Sequence, residues 1–321
     1  LPDFTIPIDF NSMSMNVFHH QLKNNAVYAE YIKLLNIPVD KIKYPEEIPF
    51  LPIRFFKSHQ VITNGNTQNA AVFTSSGTTS AEASKHYVGD LSLYEQSFLA
   101  GFTSFYGKVT DYCFLCLLPS YLEREGSSLI YMCKRLIEES KNPLSGFYLN
   151  DFEKLHASIK RTENQNQKTI LLGVTYALLD FAEKYPLKLN CTIVMETGGM
   201  KGKRRELAKP EVHERLKNAF CVAHIHSEYG MTELLSQAYS HGNGIYKCPP
   251  WMRVYVRETN DPLRLSLKEK TGGINVIDLA NVNSCSFIAT QDLGRRFEDG
   301  TFEISGRFDD AEIRGCNLMI E

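Results

Sequence analysis

An excess of charge of either sign is missing: 35 Lys and Arg stand against 37 Asp and Glu, a formal net charge of −2. A balanced chain has no global basic field, so no nucleic-acid partner is expected. No apolar run reaches the ~20 residues of a membrane span, and no charged-then-apolar leader opens the chain. The first residue is Leu1 rather than Met, so a trimmed start is expected. Eight cysteines lie in the chain without paired spacing, which reads as reduced thiols and a cytoplasmic setting. His19, His20, His224 and His226 find no Cys or His partners at zinc spacing, so no structural zinc site is expected. No Gly-Lys-Ser/Thr stands where a Walker A loop requires it. Repeats and low-complexity segments are absent as well, and no linker separates domains before residue 300.

What is present suits a globular protein with a large core: 321 residues, 43% hydrophobic and 22% charged. Residues 12 to 35 carry helical spacing through Phe18, Leu22, Tyr31 and Leu35, and Pro38 stops the run. Pro49 and Pro52 make 48–57 an extended segment pinned by aromatics. Asp90 reads as an N-cap for a helix burying Leu91, Tyr94, Phe98, Phe102 and Phe105. Apolar strand-type runs recur at 111–118, 168–174, 190–196, 219–225 and 284–290. Helix-type stretches lie between most of them, at 127–140, 151–161, 175–184 and 205–218. This alternation predicts an α/β fold with substantially parallel sheet, whose ligands bind at the carboxyl ends of the strands. Cys113 and Cys116 fall inside one such strand, on opposite faces, and read as core rather than as a redox or metal pair.

Four stretches carry chemistry. In Thr74-Ser75-Ser76-Gly77-Thr78-Thr79-Ser80, hydroxyls and backbone N–H groups follow an apolar run, and Gly77 permits close backbone approach. Such a loop suits a polyphosphate, although a cluster of this kind standing alone is more often an ordinary polar turn. Tyr229-Gly230-Met231-Thr232-Glu233 sets a carboxylate beyond a glycine turn. Glu233 fits Mg²⁺ and Thr232 a phosphate; the plainer reading is an acid in a first helical turn. Asp292, after the run 284–290, can accept from ribose hydroxyls, and Arg307, after Gly306, can reach the ribose or a phosphate. Met195-Glu196-Thr197-Gly198-Gly199-Met200 ends a strand with paired glycines, either a turn or a close approach to a flat ligand such as adenine. Lys201, Lys203, Arg204 and Arg205 read as a solvated helix start or as a patch for an acidic partner.

Taken in order, the loop at 74–80, the stretch at 229–233, Asp292-Leu293-Gly294-Arg295 and Gly306-Arg307-Phe308-Asp309-Asp310 resemble the motifs of the adenylate-forming superfamily of acyl-CoA synthetases and luciferases. Ile48-Pro49-Phe50-Leu51-Pro52-Ile53, Phe56-Lys57 and Arg314-Gly315-Cys316-Asn317-Leu318 narrow the resemblance to LuxE-type acyl-protein synthetases, from about residue 45 onward. The resemblance implies a single domain, the superfamily's large N-terminal α/β domain of mixed sheets packed with helices. Residues 1–45 would be a helical extension, 307–321 a hinge-like tail, and the small C-terminal domain largely absent. It implies ATP and Mg²⁺, with Ser75, Ser76, Gly77, Thr78 and Thr79 on the phosphates and Gly198 and Gly199 near adenine. Tyr229, Gly230 and Thr232 would complete the nucleotide site, Glu233 would hold Mg²⁺, and Asp292 with Arg307 would take the ribose.

The implied substrate is a carboxylic acid, a fatty acid above all, passed as acyl-adenylate to a thiol. Cys316 is the candidate thiol, with Arg314 beside it to favour thiolate; an acyl carrier or acyl-accepting protein is the expected partner. Tyr121, Leu122 and the helix after Gly126 are candidate walls for the acid. Two departures stand out. The lysine that usually closes the superfamily loop is displaced to Lys85, and the sequence ends close to the hinge-like Asp309, before the domain that supplies a catalytic lysine. The rival readings are an acyl- or aryl-CoA ligase, and a non-catalytic acyl or nucleotide scaffold.

Overall fold

A computed structural model describes residue 4 and residues 6–65, 70–75, 83–119, 126–198, 207–266 and 269–308. Its helices are α1 (Phe10–Asn24), α2 (Ala26–Leu34), α3 (Phe55–Ser58), α4 (Leu91–Tyr106), α5 (Ser128–Ser140), α6 (Phe152–Asn164), α7 (Thr175–Lys184) and α8 (Lys209–Phe220). Side-chain caps explain several starts. Asp90 accepts from the Ser92 N–H at α4, Ser127 from Ile130 at α5, and Asp151 from Lys154 at α6. The helix expected over 12–35 is two helices. Asn25 has left the helical region (φ −112°, ψ 103°), caps α2 through the Tyr28 N–H, and donates to the Ser284 carbonyl. A buried Asn with one local cap and one tertiary bond outweighs helical propensity at that position.

The first sheet contains β4 (Cys113–Leu117), β5 (Gly146–Phe147), β6 (Thr169–Val174), β7 (Thr192–Thr197), β8 (His226–Tyr229) and β9 (Ala238–Ser240). Its order is β5-β4-β6-β7-β8-β9, parallel except for β9. Every residue of β4 and β6 is buried, as expected where helices cover both faces. Cys113 and Cys116 are part of that core, beside Cys133 of α5. The strand expected at 219–225 is displaced. Phe220, fully buried, closes α8; Cys221 turns the chain at φ 51°; and the strand begins at His226. A short apolar run serves a helix end as well as a strand, and period cannot separate the two.

The second sheet is antiparallel, in the order β10 (Ile245–Tyr246), β14 (Phe302–Arg307), β13 (Phe287–Arg296), β12 (Gly272–Asp278), β11 (Met252–Arg257). β1 (Leu51–Pro52) adds a short parallel pairing to β13, with Leu51 opposite Ile288. Proline is tolerated in so short an edge. The segment 48–57 is therefore extended as expected only as far as Pro52, and turns into α3 at Phe55. α1 and α2 pack on this sheet: Phe18 and Tyr28 lie against Phe287, and Gln21 donates to the carbonyls of Asn281, Val282 and Ser284. A separate ribbon, β2 (Ala71–Thr74) with β3 (Lys85–Val88), carries the hydroxyl loop between its strands. Burying side chains such as Phe18, Phe98, Phe114 and Phe287 completely contributes about 1.5–3 kcal/mol each. Among the described residues no helix is long and apolar enough to cross a membrane.

Candidate functional site

Three connections leave the carboxyl edge of the parallel sheet side by side. Val174, Thr197 and Glu228 are register neighbours at the ends of β6, β7 and β8. The chain then turns at Thr175, Gly198 and Gly230. Gly198 has φ +67°, a conformation that disfavours a side chain, and its carbonyl accepts from Thr175 Oγ1. A Cβ at Gly230 would lie 2.5 Å from Glu228 Oε1, so only glycine lets the carboxyl tuck under the turn.

The second sheet meets this edge at Tyr229. Its hydroxyl donates to Asp292 Oδ2 at 2.8 Å, and Arg307 Nε lies 3.2 Å from Asp292 Oδ1. Asp292 does not follow its strand; it lies inside β13, directly opposite Arg307 of β14. Burial pushes the Asp292 carboxyl up, opposed by Arg307, the Tyr229 hydroxyl and Arg257. Arg257, on β11, is itself buried. It donates to the carbonyls of Ile274 and Thr290 and to Asn275 Oδ1, and burial lowers it to about 10. A buried cation thus backs Asp292 while an exposed one faces it.

Glu233 is 5% exposed, and burial raises its carboxyl despite a hydrogen bond from Ser84 and the charge of Arg307. Met231–Gln237 is not helical. Its conformation comes from outside the segment: the N–H groups of Leu235 and Ser236 donate to Asp278 Oδ2, and Asn281 Nδ2 donates to the Glu233 carbonyl at 2.7 Å. Ser75 opens the hydroxyl loop, and its hydroxyl accepts from the Ser84 N–H at 2.9 Å. The residues flanking that loop therefore touch the Glu233 turn.

Next to this turn lie two buried carboxyls of opposite behaviour. Glu196 of β7 accepts from Lys209 at 2.6 Å and from Thr175; burial alone would raise it, but Lys209 and His213 bring it to about 2. For Glu228 burial pushes the carboxyl up to about 7, despite the Thr197 hydroxyl and the more distant charge of Lys209.

Of the residues singled out in the sequence, Ser75, Gly198, Tyr229, Gly230, Thr232, Glu233, Asp292 and Arg307 are described, and the structure gathers them where the two sheets and the ribbon meet. Ser76, Gly77, Thr78, Thr79, Gly199, Cys316, Arg314, Tyr121, Leu122 and the basic run 201–205 lie outside the described residues. Sequence reasoning missed Ser84, His86, Glu228, Arg257, Asp278 and Asn281. Arg257 and Asp278 close apolar runs, a mismatch visible in the sequence; the other four carry no such signal. Among the described residues no group of three or more His, Cys, Asp or Glu side chains is arranged to hold a metal ion.

No protein-family model matches the chain, and no curated protein matches its sequence. Solved structures do match its fold. Against ATP-bound MatB from Rhodopseudomonas palustris the TM-score is 0.57 at 16% identity, covering 76% of this chain and 49% of that one. Against 2-hydroxyisobutyryl-CoA ligase in the postadenylation state, in complex with 2-HIB-AMP, it is 0.66 at 12% identity, covering 93% and 67%. The open conformation of that ligase, with 2-HIB-AMP and CoA, gives 0.64 at 11% identity. The chain spans about half the length of MatB. It shares the mixed α/β fold of those two enzymes over the matched part of each.

Proposed function

We propose that this chain activates a carboxylic acid by adenylation and passes the acyl group to a thiol. The observation that carries the reading is the convergence of Tyr229, Asp292, Arg307 and Glu233, from β8, β13, β14 and the turn after β8, at the carboxyl edge of the parallel sheet. Asp292, held by Tyr229 and Arg307, presents carboxylate oxygens to the ribose hydroxyls. Gly198 brings backbone against the adenine. Thr232 and the loop opened by Ser75 donate to the phosphates. In the first step a carboxylate oxygen of the acid attacks the α-phosphorus of ATP, forming acyl-adenylate and releasing pyrophosphate. Unit charges 4 Å apart repel by about 4 kcal/mol at an effective dielectric near 20, so donors at the phosphates must offset the approach of two anions.

The residues present fit Mg²⁺. Glu233 is a buried carboxyl with the Ser84 hydroxyl hydrogen-bonded to it, and such hard oxygens suit that ion. Glu233 would hold it together with the nucleotide phosphates, where it would supply charge neutralisation. In the second step a thiolate attacks the acyl carbonyl, AMP leaves, and the thiol proton goes to solvent. Cys316 is the proposed acceptor and a fatty acid the proposed substrate, both on the resemblance to LuxE-type acyl-protein synthetases. A second reading, coenzyme A as the acceptor, is supported by the likeness to 2-hydroxyisobutyryl-CoA ligase, a structure of which contains CoA.

The test is ATP–pyrophosphate exchange with a panel of carboxylic acids. Acid-dependent exchange is expected. Its absence with every acid, while MgATP binds, would leave a nucleotide-binding scaffold.

A further inference from the structure

The turn that carries Thr232 and Glu233 has no helix to fix it, yet its two carbonyls are both engaged. His86, on β3, is fully buried, with its ring edge-on to Phe56. Its Nδ1 lies 2.8 Å from the Thr232 carbonyl oxygen, and its Nε2 lies 3.0 Å from Asn281 Oδ1. Asn281 in turn donates from Nδ2 to the Glu233 carbonyl at 2.7 Å. The imidazole donates from Nδ1 to the Thr232 carbonyl and the Asn281 amide donates to the Glu233 carbonyl, so consecutive residues of the turn are gripped by two neighbouring side chains. Nothing local in the sequence supplies these bonds, since His86 and Asn281 lie 146 and 48 positions from their carbonyl partners.

Three residues of the same strand end reach three different parts of the site. Ser84 donates its N–H to Ser75 Oγ, where the hydroxyl loop starts, and its hydroxyl reaches the Glu233 carboxylate. Lys85 pairs with Thr74 across the ribbon. His86 holds the Thr232 carbonyl. Three consecutive residues of the ribbon therefore tie Thr74 and Ser75 to Thr232 and Glu233. Within hydrogen-bond geometry such a link sets a position to a few tenths of an ångström, the tolerance that reactive sites need.

We propose that His86, with Asn281, is a positioning element that registers the Thr232–Glu233 turn against the β2–β3 ribbon, so that Thr232 and Glu233 hold fixed places in the nucleotide site. The proposal rests on the adenylation reading. His86 touches no reacting atom; it acts through the backbone of Thr232, as outer-shell partners act on the groups that do the chemistry.

The experiment compares wild type, His86→Leu, His86→Asn and Asn281→Ala, with thermal melts to establish that each is folded. His86→Leu keeps bulk but donates nothing; His86→Asn returns an N–H near the position of Nδ1. Expected for His86→Leu is a fall in the kcat of ATP–pyrophosphate exchange of about 10- to 100-fold, the usual effect of losing an outer-shell partner. The KM for the acid is expected to stay unchanged, and His86→Asn to recover part of the loss. Equal kcat in wild type and His86→Leu would overturn the proposal, as would a His86→Asn variant no better than His86→Leu. Amide hydrogen exchange over 231–237, measured without substrate, is the second readout: faster exchange in His86→Leu and Asn281→Ala is expected, and unchanged protection would equally overturn it. A wild type with no exchange activity but with this loss of protection in the variants would remove the reaction and leave the positioning role standing. If His86→Leu does not fold, Asn281→Ala and His86→Asn carry the same two readouts.

Discussion

The Tyr229 hydroxyl donates to Asp292 Oδ2 at 2.8 Å, joining the last residue of a parallel-sheet strand to the middle of an antiparallel one. This bond ties the two sheets together where the nucleotide is proposed to lie. Hydrogen bonds to charged groups are worth about 1.5–3 kcal/mol. Tyr229→Phe is expected to raise the KM for ATP about tenfold or more while the fold is retained. An unchanged KM, measured by pyrophosphate exchange, would remove this contact from the nucleotide site.

Thr232→Val and Glu233→Gln act closer to the chemistry. Loss of one preorganised donor typically costs roughly 10²- to 10³-fold in rate. Both variants are expected to keep their melting temperature within a few degrees and to lose exchange by that amount. Wild-type rates in both would exclude these residues from the site.

Glu228 and Glu196 together predict the shape of the pH–stability curve. Burial holds Glu228 at about 7 against an ordinary 4.5. Between those values the folded state binds more protons than the unfolded one, so stability falls as pH rises through this window. The difference between those two values corresponds to about 3 kcal/mol at 1.36 kcal/mol per pKa unit. Glu196, held at about 2, behaves in the opposite sense: its contribution is present above 4.5 and is lost as pH falls toward 2. Glu228→Gln is expected to flatten the upper window and leave the lower one. Denaturant melts at pH 5 and pH 8 read the difference, and an equal loss of stability between those two pH values in wild type and variant would contradict the assignment.

Binding of MgATP gives a check that needs no acid. Nucleotide at a hundredfold excess over its Kd stabilises by about 2.7 kcal/mol. A rise in melting temperature is expected for wild type, and a smaller one for a double variant, Asp292→Asn with Arg307→Gln. Identical shifts in the two proteins would place the nucleotide elsewhere.

Cys316 is tested by intact-protein mass after incubation with ATP, Mg²⁺ and a long-chain acid. A hydroxylamine-sensitive acyl adduct is expected on wild type and not on Cys316→Ala, with exchange intact in both. Adduct surviving in Cys316→Ala would assign the thiol to another of the eight cysteines. Exchange without any adduct, together with acyl-CoA formation when coenzyme A is added, would make coenzyme A the acceptor.

The alternation of apolar runs with helical periods determined the parallel sheet. Runs bounded by N-caps and turns report on themselves, and Asp90, Thr169–Val174 and Thr175–Lys184 stand where local pattern places them. Pattern failed where one residue had a tertiary duty, as at Asn25, which splits a helix in order to bond Ser284. It also failed where an apolar run was too short to declare its period, as at 219–225. Tyr229, Glu233, Asp292 and Arg307 were picked out by the order of four short stretches and the resemblance that order carries; residue type alone singles out none of them. That Asp292 sits inside β13 opposite Arg307, that Arg257 backs it, and that His86 and Asn281 hold the Glu233 turn were decided by tertiary structure alone. Those contacts join residues far apart in the chain, and a hydrogen bond that exists only once two sheets and a ribbon are packed leaves no period or spacing in the sequence.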